Sequence, residues 1–140
     1  MKRTGSAEWK GGIKDGQGVV STESGVLDST QYSFQTRFES GKGTNPEELI
    51  GAAHAGCFSM ALSGVLEREG LKAAHIKTSA TVSLEKDNGG FSIPAIHLKV
   101  QAKVPGASEE QFAQAARTAK ENCPVSKLFT ADITMDAELE

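Results

Sequence analysis

The side chains here with chemistry available to them are two thiols, Cys57 and Cys123, three imidazoles, His54, His75 and His97, and one arginine in an unusual setting, Arg37. Cys57 lies in the middle of an uncharged run from Leu49 to Leu66, with His54 one turn before it. A thiol so placed is most often a small core hydrophobe, and burial alone raises its pKa and makes it inert. To become a nucleophile it needs a cation brought from elsewhere, because it sits far from the helix N-terminus. Arg37 is the candidate cation. A carboxylate would have to hold its planar fork, and Glu47 and Glu48 in the first helical turn are the options, with Glu47 the freer because Glu48 suits the helix cap. Either acid is otherwise a dipole-favoured surface residue, and Arg37 otherwise a solvated one.

Cys123 precedes Pro124 at a helix break, where the amides of a following turn can point at its sulfur. By that argument alone it is the better activated thiol. The two cysteines are 66 positions apart (123 − 57), so a bridge between them is a tertiary contact and not a C-x-x-C motif. His54 and Cys57 at i, i+3 share a face, but two ligands make no metal site; His75 and His97 read as polar-face strand residues. No Walker loop, G-x-G-x-x-G, G-x-S-x-G or H-E-x-x-H is present.

The elements that must position these residues follow from local patterning. Three short strands are expected over Ser6–Ile13, Gly18–Thr22 and Gln31–Glu39. The third alternates Tyr32, Phe34, Thr36 and Phe38 against Gln31, Ser33, Gln35 and Arg37. A helix opens at Asn45, with Pro46 at its first position and Glu48 in capping-box place, runs to Leu66 and stops at Gly70. It is apolar around most of its circumference and rich in small residues, which marks a buried helix; its glycines, serines and histidine argue against a membrane span. A strand over His75–Glu85 turns at Asp87-Asn88-Gly89-Gly90 into a return strand over Ile96–Val104, with Pro94 suggesting an edge or bulge. Ser108 with Gln111 caps a helix to about Asn122, Pro124–Phe129 suits a short helical turn, and a last strand covers Ala131–Leu139.

The expected architecture is α+β, in the order β-β-β-α-β-β-α-β with mostly antiparallel pairing, as one domain over residues 1–140. Each strand has one apolar face, whereas the first helix is apolar on most sides. A second copy of the chain, packed through that helix, is the economical cover. A net charge of −3 and a pI near 5.7 give no footprint for nucleic acid or an anionic membrane. The N-terminus shows no secretory pattern, so the expected compartment is cytoplasmic, where lasting disulfides are unusual unless catalytic or redox-sensing.

The run GKGTNPEELIGAAHAGCFSMAL around Cys57, with YSFQTRFE before it and ENCPVSK around Cys123, resembles the OsmC/Ohr family of thiol-dependent peroxidases. The placing of the arginine, with WKGG and STESGVL upstream, is similar to the OsmC branch. The resemblance implies an intertwined homodimer, with sheets wrapped around central helices and active sites at the subunit interface. It implies reduction of organic hydroperoxides and hydrogen peroxide, recycling by an external dithiol, and a role in osmotic or oxidative stress defence. It also implies four roles: Cys57 as peroxidatic thiol, Cys123 as resolving thiol, Arg37 as activating cation and Glu47 as the carboxylate orienting it. This reverses the ranking that helix-dipole reasoning gives the thiols. No metal, haem or flavin cofactor is required. The competing readings are a redox-sensing dimer of the same fold that binds a small apolar ligand, and a structural protein with two core cysteines.

Overall fold

The computed structural model describes residues 1–128 and 134–135. The strand expected over Ala131–Leu139 therefore lies outside the described residues apart from 134–135. The chain divides into two compact units, Met1–Ile50 with Val82–Ala95, and Gly51–Thr81 with the chain from Ile96 onward.

In the first unit, β1 (Gly5–Lys10), β2 (Gln17–Thr22) and β3 (Thr30–Tyr32) form an antiparallel sheet in sequence order, with Trp9 opposite Gly18 and Gly18 opposite Tyr32. Gly18 is required there. A β-carbon on it would run into the rings of both Trp9 and Tyr32, which pack at 5.4 Å between centroids.

The third strand ends at Tyr32, and the chain turns into a short helix, α1 (Phe34–Phe38), where sequence patterning predicts strand to Glu39. The reason is a capping box. The Ser33 hydroxyl accepts from the Thr36 amide at 3.3 Å, and the Thr36 hydroxyl accepts from the Ser33 amide at 2.8 Å. Phe34 and Phe38 share a side of a strand, but at i, i+4 they also share a side of a helix, where their rings pack at 4.8 Å. Arg37 thereby lies one turn from Phe34 on α1, not on the opposite face of a strand. Phe38 also packs on Phe91, at 4.9 Å.

The long helix α2 (Pro46–Arg68) begins as its sequence dictates: the Asn45 side-chain oxygen accepts from the Glu48 amide at 2.8 Å. The Glu48 carboxylate takes the Thr44 hydroxyl at 2.7 Å in place of the Asn45 amide. It ends in a Schellman turn, with Gly70 at φ 75° and the Leu71 amide bonded back to the Leu66 carbonyl.

In the second unit, one face of α2 buries Phe58, Leu62, Val65 and Leu66 against Ala115 and Ala119 of α3 (Glu109–Asn122) and against Cys123. Ser108 and Gln111 cap α3 reciprocally. The small alanines let α3 come close to α2, and Leu98 and Val100 flank this core. Pro124 stops α3, because the residue before a proline is driven out of the helical region. Cys123 accordingly takes φ −58°, ψ 127°, and a short helix α4 (Pro124–Leu128) follows. The remaining strands, β4 (His75–Asp87) and β5 (Gly90–Lys103), form a two-stranded hairpin through Asn88-Gly89. β5 starts earlier than patterning suggests and continues through Pro94.

Within the chain only about a third of the most apolar stretch of α2 is buried. Met60 is 81% exposed, so the helix has an uncovered apolar side.

Candidate active site

Two pairs of side chains come together, one in each unit. In the first unit, Arg37 Nε and Nη2 both reach Glu47 Oε1, each at 2.9 Å. Glu47 is nearly buried and Arg37 about a third exposed, so the pair is partly shielded from solvent. Glu48 is occupied by Thr44. The arginine is held from three sides: by α1, by the carboxylate at the start of α2, and by the Phe38 ring, 5.3 Å from Cζ. The Asn45 amide donates to the Thr36 carbonyl at 3.1 Å, tying α1 to the start of α2. Glu47 Oε2 is buried with no hydrogen-bond partner among the described residues. A buried carboxylate oxygen left without a donor is costly, so it is a place for an incoming one. Beside the pair is a cleft of about 230 Å³ lined by Trp9, Ile13, Tyr32, Ser33, Phe34, Arg37 and Phe38.

In the second unit, the sulfurs of Cys57 and Cys123 are 2.8 Å apart and unbonded. Cys123 is fully buried and Cys57 partly exposed, in a mainly apolar groove of about 420 Å³ that includes Met60, Ala61, Gly64 and Arg68. A larger groove, around Glu8, Lys10 and Gln31 on β1–β2–β3, contains neither thiol and neither member of the Arg37–Glu47 pair.

The electrostatics of the two thiols differ. Burial pushes Cys57 up, the contact with Cys123 pushes it the same way, and a backbone hydrogen bond from Val125 opposes them. Burial also acts to raise Cys123. It is outweighed by hydrogen bonds from Cys57, from the Ser126 and Val125 amides and from the Ser126 hydroxyl, and Cys123 is held below the ordinary thiol range. Either thiol can donate in the contact between them; when Cys123 is ionised, Cys57 must be the donor. Within the chain alone, hydrogen bonds from the turn after the helix break favour the thiolate form of Cys123, whereas burial disfavours it at Cys57.

His54 is not near a metal-ligand cluster; no group of three or more His, Cys, Asp or Glu side chains that could hold a metal occurs among the described residues. Its Nε2 lies 2.8 Å from the Ser126 hydroxyl, and burial lowers its pKa from the ordinary 6.5. His75 and His97 are exposed on β4 and β5. Sequence reasoning did not single out Ser126, nor the aromatic cleft beside Arg37. For Ser126 the available signal was its place three residues after Cys123, the position whose amide meets a helix-capping side chain. For the cleft it was the Ser33-x-x-Thr36 box, which turns Phe34 and Arg37 onto a helix.

Comparison with known proteins places this geometry. The family described as OsmC-like protein matches residues 39–138. The chain is 53% identical over 140 residues to Peroxiredoxin OsmC of Escherichia coli K12, covering 100% of this chain and 98% of that protein. It is 34% identical over 97 residues to an organic hydroperoxide resistance protein-like chain of Staphylococcus aureus, 69% of each. Among solved structures, the organic hydroperoxide resistance protein OhrB of Bacillus subtilis superposes with a TM-score of 0.65 at 28% identity, covering 89% of this chain and 88% of that one. The mixed α+β chain with antiparallel sheets thus has the OsmC/Ohr fold. The chain belongs to the OsmC-like protein family.

Proposed function

We propose that this protein is a thiol-dependent peroxidase that reduces organic hydroperoxides, and hydrogen peroxide, to alcohols or water. The observation that carries this reading is the unbonded 2.8 Å contact of Cys57 and Cys123 in a member of this family. Two thiols in contact are one short movement from a disulfide of about 2.05 Å.

Cys57, the thiol that opens to the groove, is the peroxidatic residue. Its thiolate attacks the distal oxygen of R–O–OH; the O–O bond breaks and the alkoxide leaves as alcohol. Cys57 becomes a sulfenic acid, which Cys123 resolves by forming the disulfide and releasing water. An external dithiol then reduces the pair. Arg37, with its fork fixed by Glu47, supplies the positive charge that favours thiolate on Cys57 over Cys123 and stabilises charge on the peroxide oxygens. In a site dried by its surroundings, such a charge acts far more strongly than in water.

The uncovered apolar side of α2 supports a homodimer, with the active site completed at the interface. Residues 1–140 act as one OsmC-like domain, since the family match runs through residues of both units. Recycling by a dithiol suits the reducing cytoplasm.

The test is a single turnover. Reduced protein is mixed with cumene hydroperoxide or hydrogen peroxide, and free thiols are counted. Loss of both thiols per peroxide reduced is the expected result, with the rate ratio ranking the substrates. Slow thiol loss out of proportion to peroxide would overturn the reading. Sedimentation should give twice the 14.7 kDa chain mass.

A further inference from the structure

The cleft beside Arg37 has walls that no step of the proposed cycle uses. The chain's one tryptophan, Trp9, and its one tyrosine, Tyr32, reach it from β1 and β3, and Phe34 and Phe38 reach it from α1. All four rings are half-buried. Ile13, in the turn between β1 and β2, lines the same cleft and is 70% exposed. So much apolar surface left wet around one concavity marks a place where an apolar ligand gains by covering it. Arg37 is the only charged residue on the lining. Its Nε and Nη2 are both committed to Glu47 Oε1, which leaves Nη1 for an incoming oxygen. Aromatic walls and one cation suit a ligand with a flat apolar body and an oxygen-bearing end. At about 230 Å³ the cleft is smaller than the about 300–1,000 Å³ that drug-sized ligands occupy, so its occupant is little larger than one ring. Every lining residue precedes residue 39, where the family match begins, so the cleft is built from the part of the chain outside that match.

We propose that this cleft holds the organic group of the hydroperoxide and selects compact aryl hydroperoxides, those with a ring on the peroxide carbon. They are favoured over tert-butyl hydroperoxide, whose peroxide carbon bears only methyl groups, and over hydrogen peroxide. The proposal rests on the peroxidase reading above, which puts Arg37 on the peroxide oxygens. A ring attached beside those oxygens meets the aromatic walls, where edge-to-face and offset contacts are favoured. tert-Butyl hydroperoxide has a methyl group where cumene hydroperoxide has the ring, and forgoes those contacts. Hydrogen peroxide meets Arg37 alone. Trp9 and Ile13 are therefore specificity-determining residues, and neither touches the reacting oxygens.

The experiment has a binding arm and a kinetic arm, both on the full chain. Trp9 is the only tryptophan, so protein fluorescence reports on the cleft directly. The probe is cumyl alcohol, the unreactive product of cumene hydroperoxide, with tert-butanol as control. Cumyl alcohol should shift or quench the Trp9 emission saturably at concentrations where tert-butanol does not, and should bind more weakly to Ile13→Ser. In the kinetic arm, kcat/KM is measured for cumene hydroperoxide, tert-butyl hydroperoxide and hydrogen peroxide with dithiothreitol as reductant. Wild type should favour cumene over tert-butyl hydroperoxide by about tenfold or more, the scale on which an apolar pocket separates substrates. Trp9→Leu, which keeps an apolar side chain without the indole, and Ile13→Ser should each bring that ratio toward one. Damage to the placing of Arg37 would instead slow all three peroxides alike and leave the ratio as it was. No response to cumyl alcohol, or a ratio unchanged in both variants, would overturn the cleft assignment and leave the peroxidase reading intact. So would a fall in sedimenting mass in Ile13→Ser with no response to cumyl alcohol, since a second copy of the chain would then fill the cleft. Absence of thiol-linked turnover of every peroxide in the wild type would overturn the peroxidase reading and the cleft's role with it. If Trp9→Leu fails to fold, the exposed Ile13 position still decides the question.

Discussion

Cys57 and Cys123 hold their sulfurs 2.8 Å apart, closer than unbonded packing and farther than a disulfide. Neither thiol has this property from its own element. Cys57 is mid-helix on α2, and Cys123 is caught at the end of α3 by the proline that follows it. The contact exists because two alanines of α3 let that helix sit close to α2.

The two thiols have separable roles in the proposed cycle. Cys57→Ser should abolish peroxide consumption. Cys123→Ser should permit a first turnover and then accumulate sulfenic or over-oxidised Cys57, with mass spectrometry locating the oxygen. Oxygen found on Cys123 in Cys57→Ser, with turnover preserved, would exchange the roles. The lower thiol pKa at Cys123 makes this a real contest.

Arg37 binds one oxygen of Glu47 through two nitrogens, and its orientation depends on that fork. Lysine cannot reproduce it. Arg37→Lys and Glu47→Gln should therefore each slow sulfenic acid formation by about tenfold to a hundredfold, the scale of one lost electrostatic stabiliser. Stopped-flow measurement with cumene hydroperoxide checks this. Unfolding midpoints for both variants should stay close to wild type, because the pair is only partly buried.

Burial lowers the His54 pKa from 6.5, which sets the sign of a stability change. As pH falls below about 6.5, the unfolded chain takes up a proton on this residue before the folded chain does, so unfolding becomes easier. The contribution is complete above 6.5 and is lost as pH falls toward the lower folded value. The urea midpoint should thus drop between about pH 7.5 and about pH 5.5, and drop less in His54→Gln, the difference isolating this residue from the carboxylates.

Gly43, at φ 132°, lets the chain pass the Gln31 carbonyl between α1 and α2. A β-carbon there would strike that oxygen and sit 3.1 Å from the Thr36 methyl. Gly43→Ala should destabilise by about 1–3 kcal/mol, the cost of one strained backbone position. Urea unfolding measures it. Because Thr36 belongs to the turn that carries Arg37, peroxidase activity should fall as well.

Much of the fold is legible in the chain because its signals are local. Asn45 with Pro46, Gly70, Ser108 with Gln111, Asn88-Gly89 and Cys123-Pro124 each act within one turn of themselves, through caps and restricted φ, and each lies where those rules put it. The segment from Ser33 to Phe38 misled for the same reason. Phenylalanines four apart satisfy a strand and a helix alike, and the Ser33–Thr36 capping box tipped the balance toward the helix.

By itself the sequence determined the elements, the residue types able to do thiol chemistry, and the resemblance that links Cys57, Cys123, Arg37 and Glu47. Tertiary structure alone decided which atoms meet: Arg37 with Glu47 and not Glu48, sulfur with sulfur across 66 positions, and His54 with Ser126 across 72. The physical reason is that capping and hydrophobic period are set within a few residues, whereas a contact between distant side chains depends on how closely whole helices pack. That closeness is fixed by the small residues between them, and periodicity along one element does not contain it.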